Sequence, residues 1–182
     1  KSVKSTNKIT KAMELVSAAK MRKAISRVLS SRSYADLSWD MILRLVKKVD
    51  TSGHPFFREA KETKNIAIIL VSTNRGLCGS FNGQLVQKVI DSIKIHAPEV
   101  TNTDIITFGV KGREEVIRKN LNLIADFPKN DITENSVDVL PIAHLLVKEF
   151  KAEKYDKVFV AYMDFMSSLK QIAHVKQLLP FS

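Results

Sequence analysis

The chain has 182 residues, a length that fits one ordinary domain or a smaller domain with an appendage. Of these residues 45% are hydrophobic and 26% are charged, a composition that excludes a disordered tail. Its longest segment without charge, Gly76 to Gln87, has 12 residues, which excludes a membrane-spanning helix of about 20 apolar residues. The formal net charge of +10 is typical of proteins that bind an acidic protein, a nucleic acid or an acidic membrane surface.

Positive charge is concentrated at the start of the chain. Residues 1–50 contain 12 Lys and Arg against 4 acidic residues, whereas residues 51–182 contain 17 against 15. An acidic partner is therefore expected to meet the N-terminal segment. The first 33 positions hold no aromatic residue, so base stacking is not available there. Composition alone leaves an acidic protein and a nucleic acid as nearly equal alternatives.

The first element is predicted to be one long helix. From Ser2 to about Asp50 there is neither Gly nor Pro, and residues that favour helices predominate. Apolar residues follow a coiled-coil spacing of three and four with one charged exception: Ala18, Met21, Ile25, Val28, Arg32, Ala35, Trp39, Ile42, Val46 and Val49. An earlier phase comprises Ile9, Ala12, Val16 and Ala19. Such a stripe needs a partner helix, which we expect on another subunit or beyond Ser182.

The turn-forming segment Thr51-Ser-Gly-His-Pro55 predicts a domain boundary, with a shaft helix over residues 1–52 and an α/β domain over residues 53–182. Five strands are predicted after it, at Ile66–Ser72, Asp104–Phe108, Leu121–Phe127, Lys157–Met163 and Lys170–Leu178. Three helices alternate with them, at Phe81–Ile95, Val110–Lys119 and Val137–Ala152. This alternation predicts a Rossmann-like, mostly parallel sheet with flanking helices.

The loop after the first strand, Val71-Ser-Thr-Asn-Arg-Gly-Leu-Cys-Gly-Ser80, stands where a glycine-rich loop would bind a phosphate. It contains neither the Gly-Lys-Ser/Thr of a P-loop nor the three-glycine dinucleotide fingerprint. We interpret it as a structural turn that exposes Arg75 to a partner. Cys78 is the only cysteine, and we expect a small buried residue rather than a reactive thiol.

No catalytic, metal or cofactor site is predicted. The four histidines are scattered singly and there is no cysteine pair, so a zinc site is not expected. Two acidic pairs, Glu114 with Glu115 and Asp156 with Asp164, are interpreted as solvated charges.

Two segments point to a known family. Asn7-Lys-Ile-Thr-Lys-Ala-Met-Glu-Leu-Val-Ser-Ala-Ala-Lys-Met-Arg-Lys23 closely resembles the N-terminal signature of the gamma subunits of F-type ATP synthases. Ser72-Thr-Asn-Arg-Gly-Leu-Cys-Gly-Ser80 resembles that family's second hallmark, and Gln177-Leu-Leu-Pro180 is similar to the end of its α/β portion. The resemblance covers essentially the whole chain and is closer to bacterial than to mitochondrial members.

The resemblance implies a non-catalytic rotor stalk that couples proton-driven rotation to ATP synthesis at the beta-subunit sites. In the family, the N-terminal helix pairs antiparallel with a long C-terminal helix, which this sequence lacks, inside the ring of alpha and beta subunits. The α/β domain meets the epsilon subunit and the ring of c subunits. The family therefore implies no cofactor, no nucleic acid and no membrane span. It implies a peripheral position at the cytoplasmic face of the bacterial inner membrane.

The family's contact residues can be placed on matching positions of this sequence. Met21, Arg22 and Lys23 match the shaft segment that faces an acidic lever loop of the beta subunit. The start of the helix and its packing into the shaft are matched by Lys8, Ile9, Thr10, Lys11, Met13 and Val16. A subunit-contact loop is matched by Arg75, Gly76, Cys78 and Gly79. Two alternatives stay open: a basic α/β domain that binds nucleic acid through a helical arm, and a Rossmann-type enzyme with a nucleotide at the Arg75–Ser80 loop.

Overall fold

The computed structural model describes residues 2–48, 53–96, 98–129 and 136–181. The chain divides into two compact units, one ending at Arg44 and the other beginning at Leu45. The proposed domain boundary at residues 52 and 53 stays a prediction, because Thr51 and Ser52 lie outside the described residues.

The first element is helix α1, Ser2–Val46, which confirms the prediction of one uninterrupted helix. Its 45 residues extend over about 68 Å at 1.5 Å per residue. The helix ends before the predicted limit near Asp50, in a tight turn in which the Lys48 amide donates to the carbonyl of Leu45 at 3.0 Å. Position Val49 of the apolar stripe lies outside the described residues.

The α/β unit is built on one five-stranded sheet. Its strands are β1 (Asn65–Val71), β2 (Asn102–Phe108), β3 (Asn122–Phe127), β4 (Lys157–Ser167) and β5 (Lys170–Leu179). Its helices are α2 (Phe81–His96), α3 (Val110–Arg118) and α4 (Leu140–Lys151), with short 3-10 turns at Pro55–Phe57 and Ser136–Val139. The strand order is β3-β2-β1-β4-β5, and only the β4–β5 pair is antiparallel. The predicted Rossmann-like, mostly parallel sheet is therefore confirmed.

The apolar run of β1 forms the centre of both cores, as a parallel strand covered on two faces requires. Ala67 and Ile69 pack in one cluster with residues of α4. Ile66, Ile68 and Leu70 pack in the other cluster with residues of α2 and α3. Because side chains alternate along the strand, neighbouring residues of β1 pack against helices on opposite faces of the sheet.

The last two strands differ from the prediction in length. β4 continues to Ser167 instead of ending at Met163, and it turns directly into β5. The Ser167 hydroxyl stabilises this turn by accepting hydrogen bonds from the amides of Leu169 and Lys170 at 3.3 and 3.1 Å. The pairing of β1 with β4 ends at Ala161, so the far half of the hairpin extends past the end of β1.

The start of α4 also differs from the prediction. A 3-10 turn occupies Ser136–Val139, and the α-helix begins at Leu140 instead of Val137. Pro141 lies in the first turn of α4. Amides of the first turn have no acceptor within the helix, so proline loses no hydrogen bond at this position.

Candidate functional site

The first candidate surface lies on α1. All nine residues that the sequence assigned to ring contacts are exposed: Lys8, Ile9, Thr10, Lys11, Met13, Val16, Met21, Arg22 and Lys23. Helical geometry places Lys8, Lys11 and Arg22 on one face and Ile9, Met13 and Val16 on the opposite face. Leu15 lies among the first set, and Lys20 and Lys23 lie among the second, so cations and apolar residues are distributed around the helix.

No residue of α1 is buried, and its large apolar side chains are widely exposed. The exposed fraction is 66% for Leu15, 57% for Val16 and 70% for Leu37. An apolar surface of this extent marks an interaction site in a folded protein. Within the stripe read from the sequence, Met21 and Val28 are exposed at 48% and 39%, whereas Ala18, Ile25, Trp39, Ile42 and Val46 are half-buried.

The second candidate surface is the loop between β1 and α2, which is anchored at Ser72. This residue is 2% exposed. Its hydroxyl donates to the Gly109 carbonyl at 2.9 Å and accepts from the Gly112 amide at 2.8 Å. Its carbonyl accepts from the Lys129 ammonium at 2.6 Å. The base of the loop is therefore fixed against the start of α3.

A buried side chain, Asn82 in the first turn of α2, holds the rest of the loop. Asn82 is 7% exposed, and its oxygen accepts from the Thr73 amide at 3.2 Å. Its nitrogen donates to the Thr73 hydroxyl at 2.8 Å and to the Cys78 sulfur at 3.4 Å. The Thr73 hydroxyl in turn donates to the Arg75 carbonyl at 2.8 Å. We call this set of hydrogen bonds the Asn82 clamp.

The predicted loop residues differ in exposure. Arg75, Gly76 and Gly79 are exposed, whereas Cys78 is half-buried. Cys78 was expected to be buried, but it is only half-buried, with its sulfur accepting a hydrogen bond from Asn82. Gly79 has a φ of 59°, which explains a glycine at that position. The exposed Arg75 fits the interpretation of a turn that presents a cation to a partner.

Sequence reasoning missed Leu77. Its side chain is 98% exposed and its backbone is left-handed, with a φ of 62°. The signal that could have found it is a single large apolar residue placed between Gly76 and Gly79 in a segment without charge.

A shallow depression of about 450 Å³ lies beside this loop, lined by residues of the loop, of the start of α2 and of α3. Its charged side chains neutralise one another. The Lys111 ammonium is 2.7 Å from a Glu114 carboxylate oxygen, and Arg118 pairs with Glu115. The acidic pair that the sequence predicted to be solvated is therefore engaged with cations of its own helix, with Glu115 only 17% exposed at its side chain.

A buried acidic group lies at the opposite end of the strands. The Tyr155 hydroxyl donates to a carboxylate oxygen of Asp104 at 2.7 Å, and the Asn122 amide donates to the other oxygen at 2.6 Å. The Lys154 ammonium is 3.9 Å from the same carboxylate. The pKa of Tyr155 is raised to about 12, mainly because the phenol is buried and also because it donates a hydrogen bond to Asp104. Because every partner is satisfied, this group serves packing at the start of β2 and β4.

Asp156 also differs from the solvated charge that the sequence predicted. One of its carboxylate oxygens accepts from the amides of Lys64 and Asn65, both at 2.8 Å. It therefore fixes the start of β1.

Among the described residues there is neither a metal-ligand cluster nor a membrane-spanning helix. No three His, Cys, Asp or Glu side chains come together as metal ligands would. None of the helices in the described part of the chain has the length and hydropathy needed to cross a bilayer.

Comparison with known proteins gives the family. A family model described as ATP synthase matches residues 1–182. This chain belongs to the ATP synthase family. The ATP synthase gamma chain of Legionella pneumophila (strain Corby) is 32% identical over 179 residues, which is 98% of this chain and 62% of the relative. That of Buchnera aphidicola subsp. Acyrthosiphon pisum (strain APS) is 35% identical over 188 residues, covering 100% of this chain and 62% of the relative.

This chain thus spans less than two thirds of the length of these relatives. Solved structures show the same fold. The central stalk and c-ring structure of Tetrahymena thermophila mitochondrial ATP synthase matches with a TM-score of 0.74 and 24% identity, covering 94% of this chain and 72% of that chain. The rotor of Euglena gracilis mitochondrial ATP synthase matches with a TM-score of 0.62 and 16% identity, covering 97% and 58%.

Proposed function

We propose that this chain acts as the gamma subunit, or central rotor stalk, of an F-type ATP synthase. The observation that carries the proposal is the match to the ATP synthase family over residues 1–182, with relatives named as gamma chains along nearly the whole chain. In this role the chain couples proton-driven rotation to ATP synthesis at the beta subunits and performs no bond chemistry itself.

The exposed surface of α1 suits a shaft. Its exposed cations, among them Arg22 and Lys23, would meet acidic loops of the alpha and beta subunits. Charge attraction between exposed groups is weak and falls off gradually with distance, so it guides a turning shaft without locking it at one angle. The exposed apolar residues Ile9, Met13 and Val16 would pack on a second shaft helix.

The remaining partners follow from the same proposal. The α/β unit would meet the epsilon subunit and the ring of c subunits, and the Arg75–Gly79 loop would contact a neighbouring subunit. The complex would then hold this chain as a peripheral protein at the cytoplasmic face of a bacterial inner membrane. The nucleic-acid alternative gains no support from the relatives named above.

The experiment is a charge reversal on the shaft. The full-length subunit with Arg22→Glu and Lys23→Glu is assembled with its partner subunits, and ATP-driven proton pumping is measured in vesicles. Each exposed ion pair contributes up to about 1 kcal/mol, and reversal adds repulsion. We therefore expect pumping to fall several-fold.

The matched control is Lys88→Glu with Lys94→Glu, which makes the same charge change at two exposed positions of α2 and should leave pumping nearly unchanged. Equal pumping by the shaft variant and the wild type would contradict the assigned role of α1. Salt-dependent DNA binding without affinity for the alpha–beta ring would favour the nucleic-acid alternative instead.

A further inference from the structure

The sheet face covered by α2 and α3 contains a groove that the proposed function does not use. On this face the two helices pack against β1, β2 and β4. A helix is about 10 Å wide and strands lie about 4.8 Å apart, so two helices cover about four strands. The edge strand β5 of the five-stranded sheet is therefore only partly covered, and a groove of about 590 Å³ remains between α2 and the β4–β5 strands.

Apolar side chains form much of the lining of this groove. Ile93 of α2 borders it on one side, Phe159 of β4 lies along its floor, and Ala173 and Val175 of β5 border the other side. All four are half-buried. The small side chain of Ala173 leaves room above its strand. The volume is within the range of about 300–1,000 Å³ that is typical of sites for small organic ligands.

The charged groups of the lining are all cationic. Lys157 of β4 and Lys88 of α2 line the groove, whereas no Asp or Glu does so. Lys157 is half-buried beside the apolar Ile66 of β1, and in the described part of the chain neither lysine forms an ion pair. A half-buried cation without a counter-ion favours the binding of an anion. Ser92 lies four residues after Lys88, on the same face of α2, and also lines the groove.

Neighbouring acidic residues do not neutralise these cations. Asp156, which precedes Lys157, accepts from the amides at the start of β1. Asp91, which precedes Ser92, accepts from the Gln87 amide at 2.9 Å. His174 borders the groove as well, but its ring stacks on Tyr162 with centroids 6.1 Å apart. The free positive charge of the groove is therefore that of the two lysines.

The position of the groove along α2 favours a single carboxylate over a phosphate group. Ser92 and Ile93 lie in the second half of this helix, away from the N-terminal amides that favour phosphate. The lining contains no arginine that could bind a phosphate through two parallel hydrogen bonds.

We propose that this groove is a binding site for a small amphipathic anion, a monocarboxylate with an apolar tail of the fatty-acid type. Lys157, Lys88 and Ser92 would hold the carboxylate. The tail would lie on Phe159 and Val175, where it would remove apolar surface from water. The inference goes beyond the rotor role, because the groove is built entirely from the α/β unit and requires no other subunit.

The test compares three probes by isothermal titration calorimetry on the free full-length subunit. Octanoate carries both the anion and the tail, octanol carries the tail alone, and acetate carries the anion alone. Octanoate should bind at one saturable site with a Kd of about 1 mM or tighter. Octanol should bind about tenfold more weakly, and acetate should show no saturable binding. Equal affinities for octanoate and octanol, or no saturable binding of octanoate, would overturn the inference.

The role of the cation is tested by Lys157→Met, which keeps the length of the side chain and removes its charge. The affinity for octanoate should fall about five- to tenfold, and that for octanol should not change. Lys170→Met is the matched control, because Lys170 is an exposed cation of β5 that does not line the groove. It should bind octanoate as the wild type does. Wild-type affinity of Lys157→Met for octanoate would refute the assigned anion site.

The location of the site is tested by filling the groove. Ala173→Phe adds a ring from the β5 side and should weaken binding of both octanoate and octanol by about tenfold or more. Ser92→Leu fills the groove from the α2 side and has the same expected result, so it replaces Ala173→Phe if that variant does not fold. Wild-type octanoate binding by either folded variant would place the bound octanoate elsewhere, for example on the exposed apolar residues of α1, and would overturn the inference.

Discussion

Replacing Gly112 by alanine in helix α3 should destabilise the α/β unit, although a glycine-to-alanine change inside a helix usually stabilises it by up to about 1 kcal/mol. An alanine Cβ would lie 2.5 Å from the Ser72 hydroxyl oxygen and 2.7 Å from the Ser72 Cβ. Ser72 cannot easily move away, because its amide donates to the Phe108 carbonyl at 2.9 Å and its hydroxyl donates to Gly109. Overpacking of this kind costs about 1–3 kcal/mol.

The clash also removes the hydrogen bond from the Gly112 amide to the Ser72 hydroxyl, which contributes about 1 kcal/mol. After the gain in helix propensity is subtracted, we expect the free energy of unfolding to fall by about 1–3 kcal/mol. Urea denaturation followed by circular dichroism measures this change, with an unaltered m-value showing that the same surface unfolds.

Gly83→Ala in α2 is the matched control for this substitution. A Cβ at Gly83 meets nothing within 4 Å, so this variant should be as stable as the wild type or more stable by up to about 1 kcal/mol. If Gly112→Ala proved as stable as Gly83→Ala, the contact between Ser72 and α3 could not be the rigid one described above.

Two further predictions concern the polar groups of the sheet. Because the pKa of Tyr155 is raised, the folded chain retains the phenol proton above pH 10, and the free energy of unfolding should fall by about 2–3 kcal/mol between pH 10 and pH 12. Tyr155→Phe should lack this fall when denaturation is measured at each pH. An unchanged fall in that variant would refute the assignment. Asp156→Ala removes the acceptor of two amides at the start of β1, and thermal denaturation should show a loss of about 1–3 kcal/mol in the free energy of unfolding. The control Asp91→Ala, at an exposed position, should lose less than about 0.5 kcal/mol. Equal losses would show that the two amides are satisfied without Asp156.

Local patterns were enough to predict most elements of this fold. A strand that is buried on both faces gives a continuous apolar run, as at Ile66, and a helix that is buried on one face gives apolar residues at a regular spacing, as in α2. The length of α1 followed from the absence of Gly and Pro. The end of α1 and the start of α4 were less well placed, because a single turn or proline decides them.

The details that build the candidate loop could not be predicted in the same way. The bonds of Ser72 join residues 37 and 40 positions apart in the sequence, and no periodicity reports such contacts. The conformation of Leu77 and the clamp that fixes it likewise depend on Asn82, which reads in the sequence as an ordinary helix-start residue. The family resemblance supplied the loop as a contact surface, but only the folded geometry distinguishes the exposed Leu77 from the half-covered Cys78.

The position of β1 in the sheet has a consequence for synthesis of the chain. Its pairing partner β4 joins it through residues such as Ile66 and Lys157, and Asn65 and Asp156 at this edge are 91 residues apart. At translation rates of about 5–20 residues per second, the apolar edge of β1 would wait about 5–20 s for β4 to emerge from the ribosome. An unpaired strand edge held open for that time can pair with other chains. The order of strands along the sequence therefore makes the nascent chain a candidate for chaperone binding until β4 has been made.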